Sequence, residues 1–538
     1  MRAVTLAWRA LPAPLRGWLR FAGLYGRAAA LWGAGDRRGA LTVLEASPAR
    51  LAAFSLAVDQ PVVARSALAR LSRDSPARPR LAARLAYREG RLTDAAGELD
   101  GAPGWRAGRL RRSLRAELEM LQPGRLTLPA SQDTRQVNGR VLHLVTDALP
   151  STSAGYTVRT QQVALAQRAA GLDPHVATRI GFPVTAGAID GRKTVTVDGV
   201  PYHRLLPWVM PGRLDMLYAS HLRRAASLTR AIQPAVLHAA SNYANALIAL
   251  ALRDATGLPV VYEVRGFWED TWLSRHATDL TSSDRYVRTR ALEAHCMLAA
   301  DLVVTLGEAM REEILARGVA EDKVIIVPNG VSEEFLRPLP DGTALRAALG
   351  VRDGEHVVGL VSSLVAHEGI GTLLEAVKIL NGRGVPARAL IVGDGPERAA
   401  LERQAAALGG GAIFTGRVPL RAVREYHAVL DVFVVPRTPD RVCQLVTPLK
   451  PVEAMASGLP VVVSAVRALE EIVRDRVTGL TSPPLDAGAL ADRLQELLQS
   501  RGLRAALGAS AREWVARDRT WAHNAVRYRA AYERLGAV

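Results

Sequence analysis

The chain has 538 residues, 49% of them apolar, a formal net charge of +17 and only two cysteines, Cys296 and Cys443. That length exceeds one ordinary core and predicts about three domains, while two distant cysteines exclude a disulfide framework or a zinc site in practice. No apolar run reaches the ~18 to 20 residues of a spanning helix, and the N-terminus lacks the apolar segment of a signal peptide; together these predict a cytoplasmic protein, soluble or peripheral on a membrane's inner face.

The charge is uneven. Residues 1–140 hold 24 Arg, no Lys and 11 acidic residues, a net +13, which leaves +4 for the other 398. A basic face implies an acidic partner such as anionic lipid, nucleic acid or a phosphorylated substrate, or else a solvated helical surface. Sparse aromatic interleaving disfavours nucleic acid. Residues 1–121 read as an Arg-rich helical region, beginning with an apolar face of Trp8, Leu11, Leu15, Trp18 and Phe21 that lies on a membrane surface or packs on the next helix. Leu81 to Leu99 reads as a helical hairpin turning near Gly90, similar to a tetratricopeptide-type unit but without a fixed period. Residues 122–139 read as a linker.

Beyond the linker the texture alternates. Apolar runs at Val141–Val145, His175–Ile180, Val236–Ala240, Pro259–Val264, Leu302–Leu306 and Val324–Val327 are mostly separated by helix-like segments, with a hairpin at Asp198-Gly199. The series restarts at Val357–Leu364, Ala389–Val392, Ile413–Thr415, Val432–Val435 and Val461–Val463. Continuous apolar runs are expected of parallel strands buried on both faces. The pattern predicts an α/β protein with two tandem Rossmann-like domains, residues 140–335 and 336–515, and a final helix at 516–538 that crosses back.

Ligands in such sheets sit beyond the carboxyl ends of strands, so the motifs there carry the functional weight. Val446-Thr447-Pro-Leu-Lys450-Pro-Val-Glu453-Ala-Met-Ala-Ser-Gly-Leu-Pro460 reads as a loop, a short helix and the start of a buried strand. Pro451 suits the first helical position and Gly458 the C-terminal cap. Free amides on Val452 and Glu453, with the Lys450 ammonium, would face a diphosphate, while Glu453 would accept from ribose hydroxyls. The loop after the first strand offers Gly155, Tyr156 and Arg159 to a phosphate or sugar; later strand ends offer Gly393, Gly395 and Arg417.

Taken in order, residues 140–538 resemble glycosyltransferase family 4, with its GT-B architecture. The matching pieces are Ser153 to Thr160, His238-Ala-Ala-Ser-Asn-Tyr243, Tyr262-Glu-Val-Arg-Gly-Phe-Trp-Glu-Asp270, Pro328-Asn329-Gly-Val331, Gly393 to Pro396, Phe414 to Pro419, and Val446 to Pro460. The Tyr-Glu-Val-Arg-Gly segment most resembles an exopolysaccharide-associated subgroup. The resemblance implies sugar transfer from a nucleotide-diphosphate-sugar to a polysaccharide or lipid-linked acceptor, with retention of configuration and no bound metal or other cofactor. The acceptor would bind the first domain and the donor the second, with cleft closure excluding water.

By the same resemblance His238, Lys450 and Glu453 carry the chemistry. Lys450 or Arg437 would meet the leaving phosphate, where one preorganised donor supplies roughly 3 to 4 kcal/mol. A Glu453–ribose bond would contribute roughly 1.5 to 3 kcal/mol, unless the carboxylate merely complements the helix dipole. His238 would face the reacting sugar; Arg265 and Glu269 hold an acceptor or phosphate, or pair with each other. Asn329 shapes the hinge, and Val446 and Thr447 line the donor loop. Arg437 has a surface pair with Asp440 or Asp431 as its alternative. Two departures stand out: the first acidic residue of the family's pair falls on Leu445, beside Gln444, and the usual basic pair falls on Ser362 and Glu368. Alternative readings are a nucleotide-sugar epimerase and a non-catalytic nucleotide-binding scaffold.

Overall fold

The computed structural model describes residues 23–130, 135–276, 278–409 and 411–538. The apolar face expected at Trp8 to Phe21 lies outside them. The chain falls into two compact units: residues up to Arg125 with Pro211–Tyr218 and Thr278–Leu292, and the remainder, Leu126–Met210, Ala219–Ala277 and Glu293–Val538.

The first unit is built of helices, among them Pro48–Ala57, Pro61–Ala69, Arg78–Arg88, Leu92–Gly97 and Trp105–Met120. Small Ala-rich faces let them approach closely around Phe54, Leu44 and Leu81. The hairpin read from Leu81 to Leu99 is present, with Gly90 at φ +77° between its two helices. A segment far along the sequence completes this unit: the Asp284 carboxylate accepts from the Leu92 and Thr93 amides at 2.5 and 2.7 Å, satisfying first-turn donors of the helix Leu92–Gly97.

The second unit holds two sheets. The first runs in the order β3(Thr194–Val197), β4(Val200–His203), β2(Asp173–Thr178), β1(Val137–Val145), β5(Pro234–Ala240), β6(Val260–Glu263), β7(Leu302–Thr305), β8(Val324–Ile326). Only the β3–β4 pair is antiparallel, turning at Asp198 and Gly199, both at positive φ. The second sheet is β11(Ala412–Gly416), β10(Ala387–Val392), β9(His356–Val361), β12(Val432–Val435), β13(Val461–Ser464), β14(Leu480–Ser482), parallel throughout. Both are doubly wound α/β sheets, as the sequence predicts. Strand β14 was not anticipated.

The chain passes between the sheets twice, and the two passages lie side by side. The Val331 amide donates to Arg519 O at 2.8 Å, and Asn524 Nδ2 to Pro328 O at 2.7 Å. Gly330 sits against this crossing, where a β-carbon would lie 3.1 Å from the Thr520 carbonyl carbon. The final helix, Trp521–Glu533, then packs Trp521, Tyr528 and Tyr532 into the core of the first sheet with Val141 and Val163. Among the described residues no helix is long and apolar enough to cross a membrane.

Candidate functional site

The helix Lys450–Ala456 follows β12 and precedes β13, so its first turn stands at the carboxyl edge of the second sheet. It starts at Lys450, with Pro451 in its first turn and Gly458 just past its end at φ +76°. The Glu453 amide is not available to a ligand as expected, because it donates to Leu449 O at 3.1 Å. Glu453 lines a cavity of about 310 Å³ whose other walls include Gln162, Gly330, Val331, Arg421, Arg424, Leu449 and Trp521. Helix Gly155–Ala169, the crossing and the second sheet's loops therefore meet around this carboxylate. Burial pushes the Glu453 carboxyl up to about 7, against the opposing charge of Lys450.

Lys450 turns the other way. Its ammonium donates to Ser362 Oγ at 2.6 Å and to Glu368 Oε1 at 2.7 Å, and Arg437 Nη2 reaches the same oxygen at 3.2 Å. Ser362 and Glu368, the positions where the expected basic pair is missing, are thus the partners of the cation that remains. Arg437 makes this buried pair in place of a surface pair with Asp440 or Asp431, and its Nη1 donates to Val446 O at 2.9 Å. Burial alone would raise the Glu368 carboxyl, yet Arg437 and Lys450 hold it well below the usual range. Burial lowers the Lys450 ammonium against the pull of Glu368.

Around this cluster the loops are fixed by backbone proximity. Gly369 has φ +64°, and a β-carbon there would lie 1.8 Å from Pro436 O. Gly393 and Gly395 pack as tightly on the loop after β9, where β-carbons would fall 1.8 Å from Ser362 O and 2.2 Å from Leu364 O. Their fitness is for close loop packing. Arg417 is exposed. Leu445 is buried, and Gln444 Oε1 accepts from the Arg467 amide at 3.0 Å, so neither stands in for the absent carboxylate.

In the first sheet's domain the expected residues converge on a buried carboxylate. Glu263 Oε1 accepts from Arg159 Nε at 2.7 Å and Arg265 Nε at 2.8 Å; Oε2 accepts from Tyr528 OH at 2.9 Å and meets His238 Nε2 at 2.8 Å. His238 is fully buried, with Nδ1 2.7 Å from Tyr532 OH, so both ring nitrogens are held inside the domain and do not face a cleft. Burial lowers its basicity. Despite the cost of burial, Arg265 and Arg159 keep Glu263 well below the carboxylate range. Arg159 also donates to Val327 O, Pro328 O and Asn329 Oδ1 at 2.8 to 3.1 Å.

Asn329 carries the contact onward, donating from Nδ2 to Thr447 O at 2.8 Å. Arg265 and Glu269 do not pair with each other. Arg265 Nη1 donates to Tyr156 O and Thr160 Oγ1, while Glu269 lies 2.7 Å from Arg317 in an ion pair with poor hydrogen-bond alignment. Tyr156 is partly exposed, with its hydroxyl 3.3 Å from Asp147, and Gly155 opens its helix opposite Leu449. Sequence reading gave the hub carboxylate Glu263 no role, although it stands in the Tyr262-Glu-Val-Arg-Gly segment and is a charged residue at the end of an otherwise apolar run.

The two sheets are also joined across their edges by charge. Arg441 bridges Asp270 and Glu313 at 3.1 and 2.6 Å, and Arg467 reaches Glu312 at 2.5 Å. The Glu471 carboxylate accepts from the Glu308 and Ala309 amides at 2.8 and 2.6 Å, capping the helix Glu308–Ala316 from the opposite domain.

The family model described as "Glycosyl transferase 4-like domain" matches residues 154–330, and "Glycosyl transferases group 1" matches residues 355–500. Among curated relatives, a GDP-mannose-dependent alpha-(1-6)-phosphatidylinositol monomannoside mannosyltransferase of Mycolicibacterium smegmatis is 34% identical over 201 residues, covering 36% of this chain and 52% of that protein. An uncharacterised glycosyltransferase of Methanocaldococcus jannaschii is 30% identical over 247 residues, 44% of this chain and 61% of its own. The chain thus spans between half and two thirds of the length of these relatives. Sucrose-phosphate synthase of Thermosynechococcus elongatus shares the fold at TM-score 0.61 and 22% identity, covering 74% of this chain and 99% of that one. Anabaena HepE, solved with UDP and glucose, does so at TM-score 0.57 and 18% identity, covering 73% and 99%. One family match thus falls on each parallel-sheet domain, a glycosyl transferase 4-like domain on the first and a glycosyl transferases group 1 domain on the second.

Proposed function

We propose that the chain is a retaining glycosyltransferase that moves a sugar from a nucleoside-diphosphate-sugar to a polysaccharide or lipid-linked acceptor in cell-envelope or exopolysaccharide synthesis. The observation that supports this best is the pairing, on one short helix, of Glu453 lining the cavity and Lys450 beside Arg437. In this reading the nucleoside occupies the cavity and Glu453 accepts from its ribose. Lys450 and Arg437 meet the negative charge that develops on the departing diphosphate, as cations held in place beforehand by Glu368. Gly155, Tyr156 and Arg265 lie on the acceptor side; Arg159, Asn329 and His238 position the hinge and the strand ends. No metal takes part, since these cations supply the positive charge at the leaving group. The basic helical unit holds the enzyme at an anionic membrane surface on the cytoplasmic side.

The test is release of nucleoside diphosphate from a panel of sugar nucleotides, with and without a lipid-linked acceptor, in buffer containing EDTA. Release that depends on acceptor and persists with EDTA is expected. Conversion of the sugar nucleotide without acceptor would mark an epimerase, and binding without release a scaffold; either would overturn the proposal.

A further inference from the structure

The cation cluster beside the short helix contains its own anion. Lys450 and Arg437 are the two cations of the cluster, and Glu368 Oε1 receives both of them, at 2.7 and 3.2 Å. The side chains of Glu368 and Arg437 are only 5% and 9% exposed, while Lys450 at 25% is the member that reaches the open side. Glu368 is not a mobile surface carboxylate that happened to fold inward. Its backbone is pinned by the Gly369 approach to Pro436, and the preceding carbonyl, His367 O, accepts from the Thr438 amide at 3.1 Å. Ser362 fixes a second bond of Lys450. Two cations and one anion leave the cluster itself a net charge of about +1, before the nearby Glu453 is counted, toward a ligand that carries two or more negative charges.

We infer that Glu368 is a resident counter-charge for which the diphosphate of the donor competes, holding Lys450 in position when the site is empty and weakening the grip on the nucleoside diphosphate after transfer. This rests on the donor-site reading above. Any diphosphate drawn to Lys450 must either displace its bond to Glu368 or share the cation with a carboxylate of like charge. Repulsion of that kind acts on ground-state donor and on product alike, so it sets affinity and release more than the chemical step. The pinned loop backbone keeps Glu368 beside Lys450 and Arg437, and its carboxylate is held there by both cations.

The experiment is calorimetric titration of the full chain with UDP, GDP and ADP, and with the parent nucleosides, for wild type, Glu368→Gln and Glu368→Asp. For whichever diphosphate binds wild type, Glu368→Gln is expected to bind at least tenfold tighter, equivalent to about 1.4 kcal/mol. The nucleoside should change less than threefold. The gain should shrink with added salt, and in turnover kcat and KM should fall together as product release slows. Glu368→Asp keeps the charge but withdraws it from Lys450, and at least a threefold gain is expected; it decides the question if Glu368→Gln melts far below wild type. A merely structural role for Glu368 would give loss of affinity, never a gain. Wild-type binding with no gain in either variant overturns the counter-charge alone, whereas absence of diphosphate binding in every variant overturns the donor site itself and this inference with it.

Discussion

Replacing Lys450 by methionine is expected to lower kcat about 10²- to 10³-fold while the protein stays folded, because a positioned donor at the leaving phosphate contributes roughly 3 to 4 kcal/mol in the transition state. Arg437 still pairs with Glu368 in that variant, but the buried carboxylate loses one of its two cations, so a lowered melting temperature is expected and the control is a folded variant at the assay temperature. Unchanged turnover would remove Lys450 from the chemistry. The neighbouring Glu453 adds a pH signature. Its carboxyl titrates at about 7 in the empty protein, raised by burial from an unfolded value near 4.5. A carboxyl whose folded value is raised destabilises the fold when ionised, so its effect is absent below about 4.5 and grows as pH rises towards 7. The ionised form accepts from ribose hydroxyls at both oxygens and more strongly than the protonated one, so nucleoside diphosphate affinity should rise with pH up to about 7 and then level off. Glu453→Gln should flatten the part of that profile that belongs to the protein, leaving only the ligand's own phosphate titration, and should cost about 10- to 150-fold in affinity. The measurement is the dissociation constant across pH 5.5 to about 8.5 for both proteins.

The second large effect is expected inside the first sheet's domain. Arg159→Met leaves Glu263 with one guanidinium instead of two and strips donors from Val327 O, Pro328 O and Asn329 Oδ1. Removing one partner of a buried charge pair costs roughly 3 to 5 kcal/mol, because the remaining charge stays desolvated. Urea denaturation should show that loss as a lowered midpoint with little change in slope. Glu263→Gln added to Arg159→Met should recover part of the stability, since no uncompensated carboxylate then remains. A loss below about 1 kcal/mol in the single variant would mean that Arg265, His238 and Tyr528 alone satisfy Glu263.

Much of the fold was legible because parallel strands buried on both faces leave continuous apolar runs, and β1, β5, β9, β12 and β13 all carry them. Strand β14 escaped notice because Leu-Thr-Ser is too short and too polar to stand out from a turn. The joining of Thr278–Leu292 to the helical unit was invisible for a different reason. Its signal is an Asp284 carboxylate matched to amides nearly 200 positions earlier, a relation no local pattern contains. At the site, motif order placed Glu453 and Lys450 on the short helix and made Arg437 a candidate. What alignment could register only as two missing cations, at Ser362 and Glu368, proved to be a pair of acceptors for Lys450. His238 was read by position at a strand end, but which way a strand-end side chain faces depends on what covers it, and here the crossing helix brings Tyr532 and Tyr528 over it.

The cap that Glu471 lends to the helix Glu308–Ala316 belongs to a residue of the other sheet's domain. A helix start usually closes with a side chain a few positions away; this one is complete only while the cleft edges stay together. The amides of Glu308 and Ala309 therefore report on the cleft. Their deuterium uptake follows the fraction of time the two halves stand apart, so the opening of the protein can be gauged at two backbone positions, at rest and with ligand added.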